Sequence, residues 1–173
     1  MMEGFIFSPA VREDIPEIVR LYQSLYGAPG CTWDPDYPNR ETAESDAGSG
    51  TLYVLKKDGM IVAAASAGAF DELGHLRWAS RSPCELARIG VLPAMQNRGA
   101  GTALLLEIIE TMRGKGFDGI RLLASRTNPA ALALYKKNGF ANRGETRMYD
   151  TGFYCYELLF GGEARAGGEP AGT

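Results

Sequence analysis

The sequence predicts an α/β fold, in which short strands alternate with helices. Strand-like apolar runs and segments with apolar residues at helical spacing follow one another along most of the chain. Asp58 and Gly59 stand between two strand-like runs, and an Asp-Gly pair in that position is a strong hairpin signal. At 173 residues, with 45% hydrophobic and 23% charged residues, the chain is long enough for one domain with its own core.

The expected elements follow from these patterns in chain order. The first helix has an acidic start and then Ile15, Ile18, Val19 and Tyr22 at helical spacing. We expect a strand at 5–8, helices from 12 and at 40–47, hairpin strands at 51–55 and 60–69, a mobile polar segment at 71–83, a central strand at 85–91, a helix at 104–112, a strand at 120–124, a helix at 128–138, and closing antiparallel strands at 140–148 and 153–160.

A glycine-rich turn, Gln96-Asn97-Arg98-Gly99-Ala100-Gly101, lies between the central strand and the next helix. Gly99 and Gly101 carry no Cβ and can adopt backbone angles closed to other residues, so an anion can approach the main-chain N–H groups. The helix adds its unpaired first-turn amides and the positive end of its dipole. The sequence therefore predicts a cradle for a pyrophosphate-bearing ligand.

The helix at 128–138 places three residues of interest on one face. Asn128 is a good helix cap, Pro129 suits the first helical position, and Gly139 ends the helix. Asn128, Ala131 and Tyr135 are separated by three and four residues, so they share one side of the helix. We expect this side to carry the chemistry of the site.

Composition limits the classes of function. Three scattered cysteines, Cys31, Cys84 and Cys155, have no C-x-x-C spacing, and His75 is the only histidine, so we expect buried free thiols and no metal site. No window approaches the roughly 18 apolar residues of a membrane span, and the N-terminus lacks the features of a signal peptide. We therefore expect a cytoplasmic protein without a membrane or nucleic-acid partner.

Charge is distributed unevenly along the chain. Residues 1–50 carry nine acids and three bases, whereas residues 96–143 carry eight bases and three acids. Such a molecule can attract an anionic ligand on one side and a cationic ligand on the other. Solvated helix faces explain the same pattern without any ligand.

Three motifs, in order and correctly spaced, resemble the GNAT superfamily of acetyl-CoA-dependent N-acetyltransferases. They are Glu85-Leu-Ala-Arg-Ile-Gly-Val91, the turn from Gln96 to Gly101, and Asn128-Pro-Ala-Ala-Leu-Ala-Leu-Tyr-Lys-Lys-Asn-Gly-Phe140. The resemblance implies a mixed, centrally splayed β-sheet flanked by helices, the GNAT-like acyl-CoA N-acyltransferase fold, in a single domain over residues 1–160. Residues 161–173, rich in glycine and poor in apolar groups, are expected to form a flexible tail.

The same resemblance implies acetyl-CoA as co-substrate and assigns residues to it. The main chains of Ile89 and Val91 would bond the pantetheine arm, in the opening left where their strand diverges from the strand at 120–124. Asn128 would also bond the arm, and Ala131 would leave room for it beside Tyr135. The pyrophosphate would be held by Gln96, Asn97, Arg98, Gly99, Ala100, Gly101 and Thr102. Each assignment has an alternative. Ile89 and Val91 are also explained by core packing, Asn128 by a helix cap, and the glycines by a turn at the start of a helix.

The implied reaction is direct attack of an amine on the acetyl group in a ternary complex. Tyr135 would protonate the departing thiolate, unless it is a core tyrosine. A lysine-like amine has a pKa of about 10.4 in water, so a base or a water relay must deprotonate it. Glu85 is the best candidate for the base unless it is an edge glutamate, with Asp71, Glu72 and His75 in reserve. A covalent route through Cys84 is disfavoured because no histidine lies nearby in sequence to activate it.

The motifs do not identify the acceptor, which could be a small-molecule amine or a peptide amine. Relatives of this kind shape the acceptor pocket from the first helix, the loop after it and the final hairpin at 149–154. The aromatic residues concerned are Tyr22, Tyr26, Trp33 and Tyr37, and aromatic rings near acids suit a cationic amine. A homodimer is left open. The alternatives are a non-catalytic CoA-binding sensor or regulatory domain, and a structural domain that assembles through its final strands.

Overall fold

The computed structural model describes residues 4–161 and contains the helices and strands expected from the sequence. The strands are β1 (Phe5–Pro9), β2 (Leu52–Lys57), β3 (Met60–Gly68), β4 (Cys84–Val91), β5 (Gly119–Ser125), β6 (Ala141–Met148) and β7 (Thr151–Leu159); the helices are α1 (Ile15–Leu25), α2 (Arg40–Gly48), α3 (Ala100–Gly114) and α4 (Pro129–Lys137). Two short 3-10 turns, Arg12–Asp14 and Pro93–Met95, precede α1 and the glycine-rich turn. The tail predicted at 161–173 lies outside the described residues, apart from Gly161.

The seven strands form one sheet in the order β1-β2-β3-β4-β5-β7-β6. β4 pairs with β5 in parallel at Cys84↔Ile120 and Glu85↔Arg121. The pairs β1–β2, β2–β3, β5–β7 and β6–β7 are antiparallel. The sheet is therefore mixed, and the predicted fold class is confirmed.

Internal contacts divide the chain into two compact units. Unit 1 contains the residues up to Ala67 together with Leu86–Ile108, and unit 2 contains Gly68–Glu85 together with the residues from Ile109 onward. β4 and α3 each contribute residues to both units. The assignment of residues 1–160 to a single domain stays a prediction.

The core of unit 1 is built around the apolar face of α1. The predicted Ile15, Ile18 and Tyr22 are buried and the predicted Val19 is half-buried. Leu21 and Leu25 complete the buried face, which clusters with buried residues of β2 and β3. Their burial removes large apolar side chains from water, and this is the main favourable contribution to the stability of the unit.

β4 passes so close to this core that a side chain at Gly90 would have to push its neighbours aside. A Cβ on Gly90 would lie 2.7 Å from Leu25 Cδ1 and 3.0 Å from the Trp33 ring. Trp33 packs edge-on against Tyr22, with ring centroids 5.5 Å apart. The backbone of β4 is therefore held directly against α1 and the loop that follows it.

In unit 2, the segment between β3 and β4, residues 69–83, is fastened by carboxylates. Glu85, Asp118 and Glu157 each accept hydrogen bonds from two successive backbone N–H groups of this segment. The donors are Glu72 and Leu73 for Glu85, Arg81 and Ser82 for Asp118, and Ala79 and Ser80 for Glu157, all at 2.8–3.0 Å. The sequence predicts a mobile segment here, whereas the structure ties it down at three places.

We expect Gly90→Ala to lower the free energy of unfolding by about 1–3 kcal/mol, because the added methyl group meets the rigid Trp33 ring. Urea denaturation monitored by circular dichroism measures the change. Gly114→Ala is the matched control, since a Cβ at the end of α3 meets nothing within 4 Å. In Gly114→Ala the free energy of unfolding should stay unchanged or rise by up to about 1 kcal/mol. Equal stabilities for the two variants would contradict the close approach of β4.

Candidate functional site

The glycine-rich turn of unit 1 is open at its centre. Asn97 (φ +63°) and Gly99 (φ +89°) have left-handed backbones, and a Cβ on Gly99 would meet nothing within 4 Å. Gln96, Asn97 and Arg98 are exposed. The protein's own side chains therefore do not fill the turn. Gly101 has an ordinary helical backbone within α3, so left-handed freedom is used at Gly99 and not at Gly101.

The first N–H groups of α3 take no part in the hydrogen bonds within the helix. The bond from Ala103 N–H to Gly99 O, 2.9 Å long, is the first of the helical type. The preceding amides, including those of Ala100, Gly101 and Thr102, have no acceptor inside the helix. Together with the positive end of the helix dipole, they form the donor set that a pyrophosphate requires, so the residues present fit this group.

The residues predicted to bond a pantetheine arm from β4 are half-buried. Ile89 and Val91 occupy the C-terminal half of the strand. The Val91 carbonyl accepts a hydrogen bond from Gln96 Nε2 at 3.1 Å. Gln96 therefore connects the end of β4 to the turn, and a ligand that donates to the Val91 carbonyl would share this acceptor with the Gln96 side chain or displace it.

In unit 2, α4 holds the predicted functional face. Asn128 caps the helix, because its Oδ1 accepts a hydrogen bond from Ala131 N–H at 3.2 Å. Besides the cap, Asn128 can offer a ligand its Nδ2 donor and the second lone pair of Oδ1. Ala131 is half-buried, one helical turn before Tyr135. Asn128, Ala131 and Tyr135 thus lie on consecutive turns, as predicted.

Tyr135 is almost fully buried, with 3% of its surface exposed. Its ring packs at a tilt against Phe140 and Tyr156, with centroid distances of 5.4 and 6.1 Å. Burial raises the pKa of the Tyr135 phenol above its ordinary value. The hydroxyl therefore stays protonated at neutral pH, which is the form that a general acid needs.

Glu85 is buried, at 3% exposure, and engaged on both oxygens. Arg121 donates to Oε2 from Nη2 at 2.6 Å and from Nε at 2.9 Å, and the 69–83 segment supplies the two backbone donors described above. The Arg121 guanidinium also lies over the Trp78 ring, 5.7 Å from its centroid. A proton taken up by Glu85 would weaken one of these bonds. Its role as general base stays a prediction.

The other acid–base candidates of unit 2 lie near the surface. Asp71, whose side chain is 82% exposed, is 3.3 Å from Arg121 Nη2, and Glu72 and His75 are exposed. Cys84 is a buried free thiol whose pKa is raised to about 12 by burial. Because a thiolate and not a thiol is the nucleophile, this environment disfavours the covalent route.

The aromatic residues predicted to shape an acceptor pocket have different environments. Tyr22 is fully buried in the core of unit 1, and Tyr26 donates a hydrogen bond to the Pro38 carbonyl at 2.6 Å. Tyr37 is half exposed, and in unit 2 Tyr149 is 87% exposed at the tip of the β6–β7 hairpin. Tyr37 and Tyr149 are therefore accessible to an acceptor, whereas Tyr22 is not.

Sequence reasoning missed a buried ion pair in unit 1. Arg88, inside β4, donates from Nε to Asp46 Oδ2 at 2.8 Å, and both side chains are almost fully buried. An arginine inside an apolar run is a signal in the sequence. No spacing rule, however, pairs it with an acid 42 residues away.

Two further features are absent from residues 4–161. This part of the chain contains no cluster of three or more His, Cys, Asp or Glu side chains arranged to bind a metal ion. It also contains no helix with the length and apolar character needed to cross a bilayer.

Comparison with known proteins identifies relatives of both sequence and fold. N-alpha-acetyltransferase RimI of Mycobacterium tuberculosis is 47% identical over 66 residues, which cover 38% of this chain and 39% of that protein. Mycothiol acetyltransferase of Renibacterium salmoninarum is 38% identical over 65 residues, which cover 38% of this chain and 19% of the relative. The aligned region thus spans less than half of either relative.

Solved structures share the fold along nearly the whole chain. The ribosomal-protein-S18-alanine N-acetyltransferase of Escherichia coli superposes with a TM-score of 0.70 at 23% identity, over 90% of this chain and 94% of that one. The yncA protein of Salmonella typhimurium, solved with acetyl-CoA, gives a TM-score of 0.73 at 19% identity, over 91% and 95%.

The sequence profile described as the acetyltransferase (GNAT) family matches residues 15–140, which include the open turn, the β4 strand and the capped α4 helix. The chain belongs to the acetyltransferase (GNAT) family.

Proposed function

We propose that this chain is an N-acetyltransferase that transfers the acetyl group of acetyl-CoA directly to a primary amine. The observation that carries the proposal is the open turn ahead of α3, whose amides have no acceptor inside the helix. An anion-binding turn of this kind suits the pyrophosphate of CoA. Family membership supports acetyl-CoA as the ligand.

Each unit contains candidate groups for the binding of acetyl-CoA. In unit 1, the main-chain amides from Gln96 to Thr102 hold the pyrophosphate, and the exposed Arg98 adds a positive charge. The main chains of Ile89 and Val91 bond the pantetheine arm. In unit 2, Asn128 bonds the arm through Nδ2, and the small Ala131 side chain leaves room for it.

The chemical step needs two proton transfers. The amine nitrogen attacks the acetyl carbonyl, the new C–N bond forms, and the C–S bond breaks. Tyr135 donates its phenolic proton to the departing sulfur, while the amine loses a proton to a base or to water. Because burial keeps the Tyr135 phenol protonated, its proton is available throughout the neutral pH range.

The base is Glu85 or a water relay. Glu85 is a buried carboxylate, and its oxygens already accept hydrogen bonds from Arg121 and from two backbone amides. A proton on Glu85 would remove the negative charge that these donors bind, and would thereby weaken their hydrogen bonds. A water molecule that relays the proton would leave these hydrogen bonds intact.

The names of the relatives indicate two classes of acceptor. RimI is named as an N-alpha-acetyltransferase, and the Escherichia coli structure as an enzyme for the alanine of a ribosomal protein. Other relatives are named for mycothiol. We propose either a peptide α-amine or a small-molecule amine as the acceptor. The exposed Tyr37 and Tyr149 are suited to contact it.

An acceptor screen tests the function. Purified protein is mixed with acetyl-CoA and a panel of amines: peptides with free N-termini, lysine peptides and small primary amines. CoA release is followed with a thiol reagent, and products are identified by mass spectrometry. Acetylated amine is the expected product. CoA-induced thermal stabilisation without turnover would favour the non-catalytic sensor instead, and absence of both would contradict the proposal.

Tyr135→Phe removes the proposed general acid and should lower kcat about 10²- to 10⁴-fold with little change in CoA affinity. Tyr156→Phe is the matched control, since this buried ring lies beside Tyr135 and has no proposed role. Because the pKa of Tyr135 is raised, its ionisation should cause no loss of activity up to a pH of about 10. Unchanged kcat in the Tyr135 variant would remove the role.

Glu85→Gln tests the proposed base through the dependence of kcat/KM on pH. If Glu85 is the base, the variant loses the acidic limb of the profile. Glu157→Gln is the matched control, because this buried carboxylate also accepts two successive backbone amides of the same segment and pairs with Arg143 at 2.8 Å. Both variants should lose stability, but the acidic limb should survive in the control. An acidic limb that persists in Glu85→Gln would assign the proton transfer to water.

A further inference from the structure

Arg88 has a left-handed backbone in the middle of β4, with φ at +54°. Residues with a Cβ seldom adopt this conformation, which persists only where surrounding contacts impose it. The direction of the strand after Arg88 therefore depends on what holds this residue.

Asp46 of α2 holds the Arg88 side chain by a two-point contact. Arg88 Nε lies 2.8 Å from Asp46 Oδ2, and Arg88 Nη2 lies 3.3 Å from Asp46 Oδ1. Ser66 Oγ on β3 donates to the same Asp46 Oδ2 at 2.6 Å. A planar guanidinium bound at two points by a buried carboxylate has a fixed orientation.

The same guanidinium reaches the loop after α1. Arg88 Nη1 donates to the Tyr37 hydroxyl, and the Arg88 guanidinium lies over the Tyr37 ring, 5.8 Å from its centroid. Arg88 is thus fixed by an acid from α2 and a tyrosine from the loop, while Asp46 is in turn held from β3. All of these groups belong to unit 1.

The residues that follow Arg88 lead to the candidate binding groups. Ile89 and Val91 come next, Leu92 N–H donates to Val62 O at 2.9 Å, and the Val91 carbonyl accepts from Gln96 at the open turn. A rotation of the backbone at Arg88 would re-aim the main-chain groups of all these residues. The ion pair and the turn are therefore connected through a short length of chain.

We propose that Asp46 is a positioning residue for the acetyl-CoA site. It holds Arg88 in the left-handed conformation and thereby aims the main-chain groups of Ile89 and Val91. This inference rests on the proposed function, which assigns those groups to the pantetheine arm. Asp46 itself contacts no part of the ligand.

Asp46→Asn should weaken CoA binding about tenfold or more, measured by calorimetry on the purified protein. Two double variants then distinguish the effect of the backbone conformation at residue 88 from the effect of the lost Asp46 charge. Arg88→Gly and Arg88→Ala, each combined with Asp46→Asn, both remove the guanidinium whose carboxylate partner Asp46→Asn has neutralised. Glycine adopts positive φ at no steric cost and alanine does not. Affinity for CoA should return with glycine and stay low with alanine.

Amide chemical shifts give a readout that does not depend on the ligand. In the CoA-free protein, the amide shift of Val91 should move in Asp46→Asn and return in the glycine double variant only. Glu44→Gln is the control, an exposed acid on the same helix paired with Arg40 at 3.1 Å. It should leave both CoA affinity and the shifts unchanged. If Asp46→Asn does not fold, Arg88→Gly and Arg88→Ala alone provide the same comparison.

Three results would overturn the inference: wild-type affinity in Asp46→Asn, equal recovery in the glycine and alanine variants, or recovery in neither. Equal recovery would mean that the lost charge of Asp46 beside Arg88, and not the backbone conformation of Arg88, lowered the affinity. Failure of the wild-type protein to bind CoA is a different outcome. That outcome would contradict the proposed function. It would also remove the proposed effect of Asp46 on CoA binding, even if the chemical shifts followed the expected pattern.

Discussion

The backbone amides at the start of α3 are the constraint on which the candidate site depends. A helix leaves its first N–H groups without acceptors, and proteins usually satisfy them with a capping side chain or with water. Here the residue ahead of α3 is Gly99, which has no side chain to offer, and the turn before it is open. The donors are therefore available to water or to a ligand, and the positive end of the helix dipole favours an anion.

Buried carboxylates hold the surroundings of the site in place. Asp46 fixes the left-handed arginine of β4 in unit 1, while Glu85 and Glu157 fasten the 69–83 segment in unit 2. Burial alone would raise the pKa of Glu157, but hydrogen bonds from Ser80, Ala79 and Arg143 outweigh it and keep that pKa below its ordinary value. Such groups are costly to bury unless every oxygen finds a donor, and here the donors are backbone amides and guanidinium groups. The acidic excess of the N-terminal sequence is thus partly internal, since Asp14 and Asp46 pair with Lys56 and Arg88.

The sequence predicts the features that depend on neighbouring residues. The apolar spacing of α1, the Asn128 cap and the Asp58-Gly59 hairpin turn, with φ of +53° and +80°, all follow from local rules. The open turn is predicted for the same reason. By contrast, the pairing of Asp46 with Arg88 and of Glu157 with Ser80 joins residues 42 and 77 positions apart, and no local rule finds them. Glu85 shows the same limit, because its position in an apolar strand is visible in the sequence but its partner Arg121 is not.

The most direct test of the account is a crystal structure of the protein with CoA bound. We predict that oxygens of the pyrophosphate lie about 2.7–3.2 Å from main-chain N–H groups between Arg98 and Thr102, with Gly99 still at positive φ. A pyrophosphate bound elsewhere, with these amides facing solvent or a protein side chain, would contradict the central claim that the turn is the site of CoA binding.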